Sequence, residues 1–280
     1  MLGRALQNRD RQGAARLRLK YLIPNADDFG FTRDVNDGII HAHRQGILTA
    51  TTIMATGAAF DHAVMLAREN RSLDVGVHLV LVGSAGFPPT VLQLIRQIAL
   101  RRIRIYDELA AQVRKVQSAG IRPTHLDTHK HTHLLPPVLN AVARIASEFE
   151  IPWVRRPFDL PLNAGGVPWH RQAVSKTLGF ARTGFHRVLE RHGCRTTDHF
   201  AGFQITGHFD AAELARLIRQ LPDGVTEFMC HPGFCTQELK AARTRLKESR
   251  RRELDALTSH EVRKALEESK VTLARYPEIR

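Results

Sequence analysis

At 280 residues and 31.5 kDa, with 43% hydrophobic and 25% charged side chains, the chain has the balance of a globular protein with a large buried core, which argues against disorder. A formal charge of +13 and a pI near 10.5 bear on solubility and on encounter with anionic partners, not on fold. Three cysteines, Cys194, Cys230 and Cys235, form no disulfide framework and fit a reducing compartment, and no apolar run approaches the ~20 residues of a membrane span.

Residues 1–20 are Arg-rich without a signal-length apolar stretch and read as a basic extension before a single domain over 21–280. A cytoplasmic enzyme follows as the default, with peripheral contact to an anionic membrane left open by the basic surface. From Tyr21, short apolar runs alternate with helical patterns. Tyr21–Asn25 reads as a strand that stops at Asp27-Asp28-Phe29-Gly30. Thr32 is the expected N-cap of a helix carrying Val35, Ile39 and Ala42, with Gly46 as its stop. Thr49–Ala55 reads as a strand, Asp61–Glu69 as a helix, and Asp74–Val82 as a strand with Val75, Val77, Leu79 and Leu81 on one face and His78 on the other. Thr90–Gln117 is mostly helical by pattern, its Arg101, Arg102 and Arg104 facing water.

Pro123 opens an extended piece leading into His129; Pro137–Phe149 reads as a helix and Pro152–Arg156 as a strand. Pro161–Gly207 has no clear period. Ala211–Gln220 reads as a helix, Val225–Cys230 as a strand ending at His231, and Leu239–Leu257 as one charged helix with a thin apolar side. Alternating strands and helices imply a mainly parallel sheet, and reactive residues at successive strand ends suggest an α/β fold of barrel type.

Asp27 and Asp28 alone would read as a turn or helix cap, but a turn beginning there can bring both carboxylates into one cavity. A lone His78 in an apolar strand is ordinarily a satisfied core histidine; it matters only with partners. THLDTHKHTH supplies them: His125, Asp127, His129, His131 and His133 alternate, and in an extended segment would line one face. The bland alternative is a His-rich surface loop, which the flanking Pro123 and Pro136-Pro137 disfavour. His231 is either a turn histidine or a proton donor or acceptor reaching the same cavity. Aromatics at 6%, not interleaved with Lys and Arg, argue against nucleic-acid binding.

Four ordered motifs, NADDFG at Asn25–Gly30, VGVHLVL at Val75–Leu81, THLDTHKHTH at Thr124–His133 and EFMCHPGF at Glu227–Phe234, resemble the YdjC-like carbohydrate deacetylases. TATTIMATG at Thr49–Gly57 and RLKESRRRELDALT at Arg245–Thr258 extend the similarity. The resemblance implies an irregular β/α barrel with one divalent metal, magnesium or zinc, held by Asp28, His78 and His129. It casts Asp27 as general base and His231 as general acid, with His125, His131 and His133 shaping the pocket. The implied substrate is an N-acetylated sugar, an oligosaccharide or a glycolipid. Lys130 and the LKESRRRELDAL stretch incline the chain toward the hopanoid-biosynthesis-associated members, whose substrate would be an N-acetylglucosaminyl lipid. Pro24 departs from the aliphatic residue usual there and is expected at a sheet edge or strand end. A phosphoesterase or another amidohydrolase remains the competing metal chemistry, with two metals as the phosphoesterase signature; a homodimer is neither required nor excluded.

Overall fold

The computed structural model describes residues 19–160 and 181–279; most of the expected extension and part of the Pro161–Gly207 stretch lie outside them. Strand β1 (Lys20–Phe29) outruns its apolar segment, because Asn25, Asp27 and Asp28 continue it and are buried with it. Thr32 caps α1 (Arg33–Gln45) as expected, accepting from the Val35 N–H. β2 (Ala50–Ile53), α2 (Phe60–Glu69) and β3 (Asp74–Leu79) follow in the anticipated order. The Thr90–Gln117 stretch forms two helices, α3 (Val91–Ala99) and α4 (Ile105–Ser118), separated by a turn in which Arg101 takes φ 53°. β4 (His125–Thr128) runs into a 3-10 turn over His129–Leu134, then α5 (Pro136–Glu148) and β5 (Trp153–Val154).

After residue 180 come α6 (Arg182–Arg191), β6 (His199–Ala201), α7 (Ala211–Arg219) and β7 (Gly224–Cys230). The single helix expected over Leu239–Leu257 is instead α8 (Gln237–Ala241) and α9 (Glu248–Thr258), followed by α10 (His260–Glu268) and β8 (Val271–Leu273). Leu239, Leu254 and Leu257 are buried as expected, but so are Arg250 and Glu253. The inner side of α9 is therefore partly ionic, which apolar spacing alone does not register.

Every strand pairing is parallel, along the path β5-β4-β3-β2-β1-β7-β6, with β8 beside the start of β1. Isolated bridges Trp153–Arg195 and Asp159–Phe200 link the two ends of that path, so the sheet curls into an irregular β/α barrel within a single α/β domain. Pro24 lies in the central strand and not at an edge, correcting the expectation from sequence. Its carbonyl accepts from Thr49 N–H, just ahead of β2, so the missing donor faces a side where the β2 ladder has not yet begun.

Alternation along each strand sorts side chains between the helix-packed exterior and the barrel interior. At the N-terminal end the interior is an apolar plug of Ile23, Ala50, Trp153, Val225 and Tyr276. Two residues further along, the inward positions become polar: Asn25, His125 and Glu227, joined by hydrogen bonds of 3.1 Å from Asn25 Nδ2 to the other two. A side chain at Gly76 would meet the His125 backbone at 2.5 Å and its ring at 2.6 Å, so this close approach requires glycine. Two residues further still, the interior becomes a cluster of charges.

Behind His231 the chain is tied to α1 by Asp34. Its carboxylate accepts from the backbone N–H groups of Thr236 (2.9 Å) and Leu239 (3.2 Å) and from the Thr236 hydroxyl. Burial alone would raise this carboxyl, but those donors outweigh it and hold it below the usual range. Asp34→Ala is expected to lower unfolding free energy by about 1–2 kcal/mol in urea titrations near neutral pH. Because the folded-state value is depressed, that stability is present above the unfolded carboxylate pKa of about 4 and is lost as pH falls through the folded value. The gap between wild type and variant should therefore narrow in acid.

Candidate metal centre

Asp28 has φ 70°, and the pairing of β1 with β2 shifts register between Ala26 and Phe29. Aspartate is among the residues that tolerate the left-handed region, and Gly30 at φ 100° continues the turn. Asn36 Oδ1 accepts the Gly30 N–H at 2.6 Å and pins it. The turn cancels strand alternation, so adjacent Asp27 and Asp28 face one cavity.

His78 on β3 and Asp127 on β4 are register partners on neighbouring strands. His78 Nδ1 lies 2.7 Å from Asp127 Oδ1, which directs its proton there and leaves Nε2 facing the cavity. That Nε2 sits 3.4 Å from Asp28 Oδ1 and 3.2 Å from His129 Nδ1, and His129 Nδ1 is 3.5 Å from the same Asp28 oxygen. Asp28, His78 and His129 thus converge within 4.8 Å of one another. Burial disfavours a proton on His78, but Asp127 first, then Asp27 and Asp28, raise it to about 9. The cavity draws positive charge.

Arg155, just beyond β5, is fully buried in the same layer. Its guanidinium donates to both oxygens of Asp27 (2.7 and 2.8 Å), to Glu227 at 2.6 Å, and lies 2.6 Å from Asp127 Oδ2. Burial would raise Asp27, but Arg155 outweighs it and holds the carboxyl well below its ordinary range. Arg250 on α9 donates to Asp28 Oδ2, the oxygen turned away from the two histidines. Burial also raises the Asp127 and Glu227 carboxyls against the pull of Arg155; by residue, Asp27, Asp28, Asp127 and Glu227 here outnumber Arg155 and Arg250.

His231, at the end of β7, places Nε2 3.8 Å from Asp27 Oδ2, and its backbone N–H donates to Glu253 at 2.5 Å. Burial pushes its imidazole down to about 4 against the pull of Asp27 and Asp28. The histidine-rich motif does not line one face. The strand ends at Thr128, and Lys130 and His131 take left-handed backbone angles. His125 remains in the layer below, neutral because burial holds it well under its usual value. His131 lies against Phe200 and Phe203, while His133 is locked between Thr128 Oγ1 (2.5 Å) and the Arg155 carbonyl (3.1 Å).

The donors fit a divalent cation: one carboxylate oxygen and two imidazole nitrogens from three separate segments, β1, β3 and the turn after β4, with a carboxylate orienting one ring from behind. Asp27, His78 and Asp127 form a second grouping, but Arg155 already places its charge between those two carboxylates.

The structure places Asp27, Asp28, His78, His129 and His231 around one cavity, beside Arg155, Arg250 and Glu253, which the sequence reading did not single out. Arg155 follows the apolar pair Trp153-Val154 at a strand end, the same signal that marks Asp27 and His231. Arg250 and Glu253 are three apart on α9 and share its inner face, a signal hidden among neighbouring arginines.

Ionisable groups gathered at the C-terminal ends of parallel strands define an enzyme of the β/α-barrel class. More narrowly, the chain belongs to the YdjC-like protein family, whose description matches residues 21–268. It is 31% identical over 272 residues to a carbohydrate deacetylase of Brevibacillus brevis, covering 92% of this chain and 99% of that one. A carbohydrate deacetylase of Clostridium beijerinckii is 31% identical with the same coverage. A crystal structure from Enterococcus faecalis, of a protein named for cellobiose-phosphate cleavage, superposes with a TM-score of 0.72 at 25% identity, covering 93% of this chain and 98% of that one.

Replacing Arg155 by leucine would leave Asp27, Asp127 and Glu227 buried without their shared cation. Arg155→Leu is expected to cost about 3–5 kcal/mol of stability, read as a lowered midpoint in thermal or denaturant unfolding. An unchanged midpoint would mean these carboxylates are not held by that charge.

Proposed function

We propose that the chain is a metal-dependent carbohydrate deacetylase that hydrolyses the acetamide of an N-acetylated sugar, either an oligosaccharide or a glycolipid. The observation that carries this reading is the convergence of Asp28, His78 and His129 beside Asp27 and His231. The names of the two carbohydrate deacetylase relatives support a carbohydrate substrate. Asp28, His78 and His129 would hold one magnesium or zinc ion. That ion would supply Lewis acidity, polarising the acetamide carbonyl and acidifying water.

The protein's own groups do the remainder. Asp27, kept ionised by Arg155, accepts the proton of the attacking water as general base. The same guanidinium makes Asp27 a weak base. His231 would deliver a proton to the departing amine nitrogen: burial keeps its ring neutral at rest, and the proton it passes on would be the one that Asp27 Oδ2, 3.8 Å away, takes from the water. Asp127 and Arg250 position ligands and touch no reacting atom. A phosphoesterase with paired metals is disfavoured by the guanidinium between Asp27 and Asp127.

Acetate release from N-acetylglucosamine oligosaccharides, followed with and without chelator, tests the reading. Asp28→Ala should abolish release, and metal analysis should find about one ion per chain. Full activity after complete chelation would overturn it. Asp127→Asn is expected to weaken metal binding about 10–100-fold by calorimetry, because His78 loses the partner that fixes its tautomer.

A further inference from the structure

Between Asp74 and Asp107 the chain contains no acidic residue, and the connection from β3 to α4 carries α3. That connection starts at the candidate centre: a side chain at Gly83 would sit 3.6 Å from His129 Nε2 and 3.3 Å from Lys130 Nζ. Helix α3, reading VLQLIRQIA, buries only Leu94. At 100° per residue, Leu94, Ile98, Val91, Ile95, Ala99 and Leu92 form one continuous apolar arc, wider than the strip the protein covers. Its outer half is bare: Leu92 is 76% exposed and Ile95 42%, and Leu100 just beyond the helix is 49% exposed. Of the five large apolar side chains exposed among the described residues, these three share one corner.

The polar flank of that arc is cationic. Arg96 adjoins Leu92 on the helix, and Arg101, Arg102 and Arg104 follow in the turn, all exposed. Among the described ion pairs, Arg104 engages Asp107 at 2.5 Å. Bare aliphatic side chains bordered by arginines, on a short convex helix without carboxylates, match the chemistry of a lipid interface, where apolar groups enter the acyl boundary and guanidiniums meet phosphates.

We infer that the outer face of α3 and the Arg101–Arg104 turn dock the protein on an anionic membrane surface. Residues 83–90 join this face to Gly83, beside the candidate centre. The inference stands on exposure and charge and does not depend on the reaction proposed above; its readout is binding, so either can fail without the other.

Sedimentation of the full chain with phosphatidylcholine vesicles, with and without phosphatidylglycerol, tests it. Wild type should be retained by the anionic vesicles, less so at high salt, and not by the neutral ones. Leu92→Glu/Ile95→Glu should lower the partition about tenfold or more, and Arg101→Glu/Arg102→Glu should do the same at low salt. Unchanged thermal unfolding would show that these exposed substitutions leave the fold intact. Equal retention of wild type and both variants would overturn the inference, as would equal binding to neutral and anionic vesicles. A lipid-free dimer that Leu92→Glu/Ile95→Glu dissociates would assign the face to a second copy of the chain and overturn it too.

Discussion

A guanidinium with no access to water must spend its charge inside the protein, and Arg155 does so on three carboxylates from three strands. Breaking such a buried pairing costs several kcal/mol, a large share of the 5–15 kcal/mol by which a typical domain is stable. The same contacts fix how Asp27 lies, since both its oxygens are taken by the fork. Barrel filling and the orientation of the proposed base are therefore one interaction. A hydrophobic replacement of the whole layer could satisfy stability, but it would leave no carboxylate poised beside the cavity.

The arrangement draws on distant parts of the chain. Asp27 and Asp28 come from β1, His78 from β3, Asp127 and His129 from β4 and its turn, Arg155 from beyond β5, His231 from β7 and Arg250 from α9. None of these contacts is local, so the cavity forms only when the sheet path has curled and α9 has returned to β1. Asp34 contributes to that return by holding the segment after His231 on α1. Arg250 then completes Asp28 from the side opposite the histidines. Each oxygen of Asp28 has its own partner class, which keeps Oδ1 for the cavity.

The strands and most helices were legible because burial on both faces leaves apolar runs that end at chemistry, as Val225–Cys230 ends at His231 and Asp74–Leu79 carries His78. What was not legible is ionic burial. Leu239–Leu257 read as one weakly amphipathic helix because Arg250 and Glu253 counted as solvent-facing, when they form part of its inner side. The alternation of THLDTHKHTH suggested one face, but two left-handed residues at Lys130 and His131 end the strand early and send each histidine to a different neighbour. Backbone sign reversals at non-glycine residues leave no mark in composition. Pro24 was misplaced for a related reason: the neighbour that would have needed its N–H begins one residue too late to need it.

Two charge distributions coexist in this molecule and have to be explained separately. The interior gathers carboxylates in excess of guanidiniums and so attracts a cation, whereas the chain as a whole carries +13. A neutral N-acetylated sugar gains nothing from either long-range field, so the basic exterior is not explained by the proposed chemistry. On α3 that exterior charge coincides with apolar side chains the fold leaves uncovered, and coincidence of the two is more informative than either alone. Arginines scattered over a surface maintain solubility; arginines bordering bare leucine and isoleucine would suit a surface with both phosphate and hydrocarbon, as inferred above. For a substrate anchored in such a surface, docking there would replace electrostatic steering of the sugar by confinement of the enzyme, and the neutral acetamide would then need no charge of its own to be found.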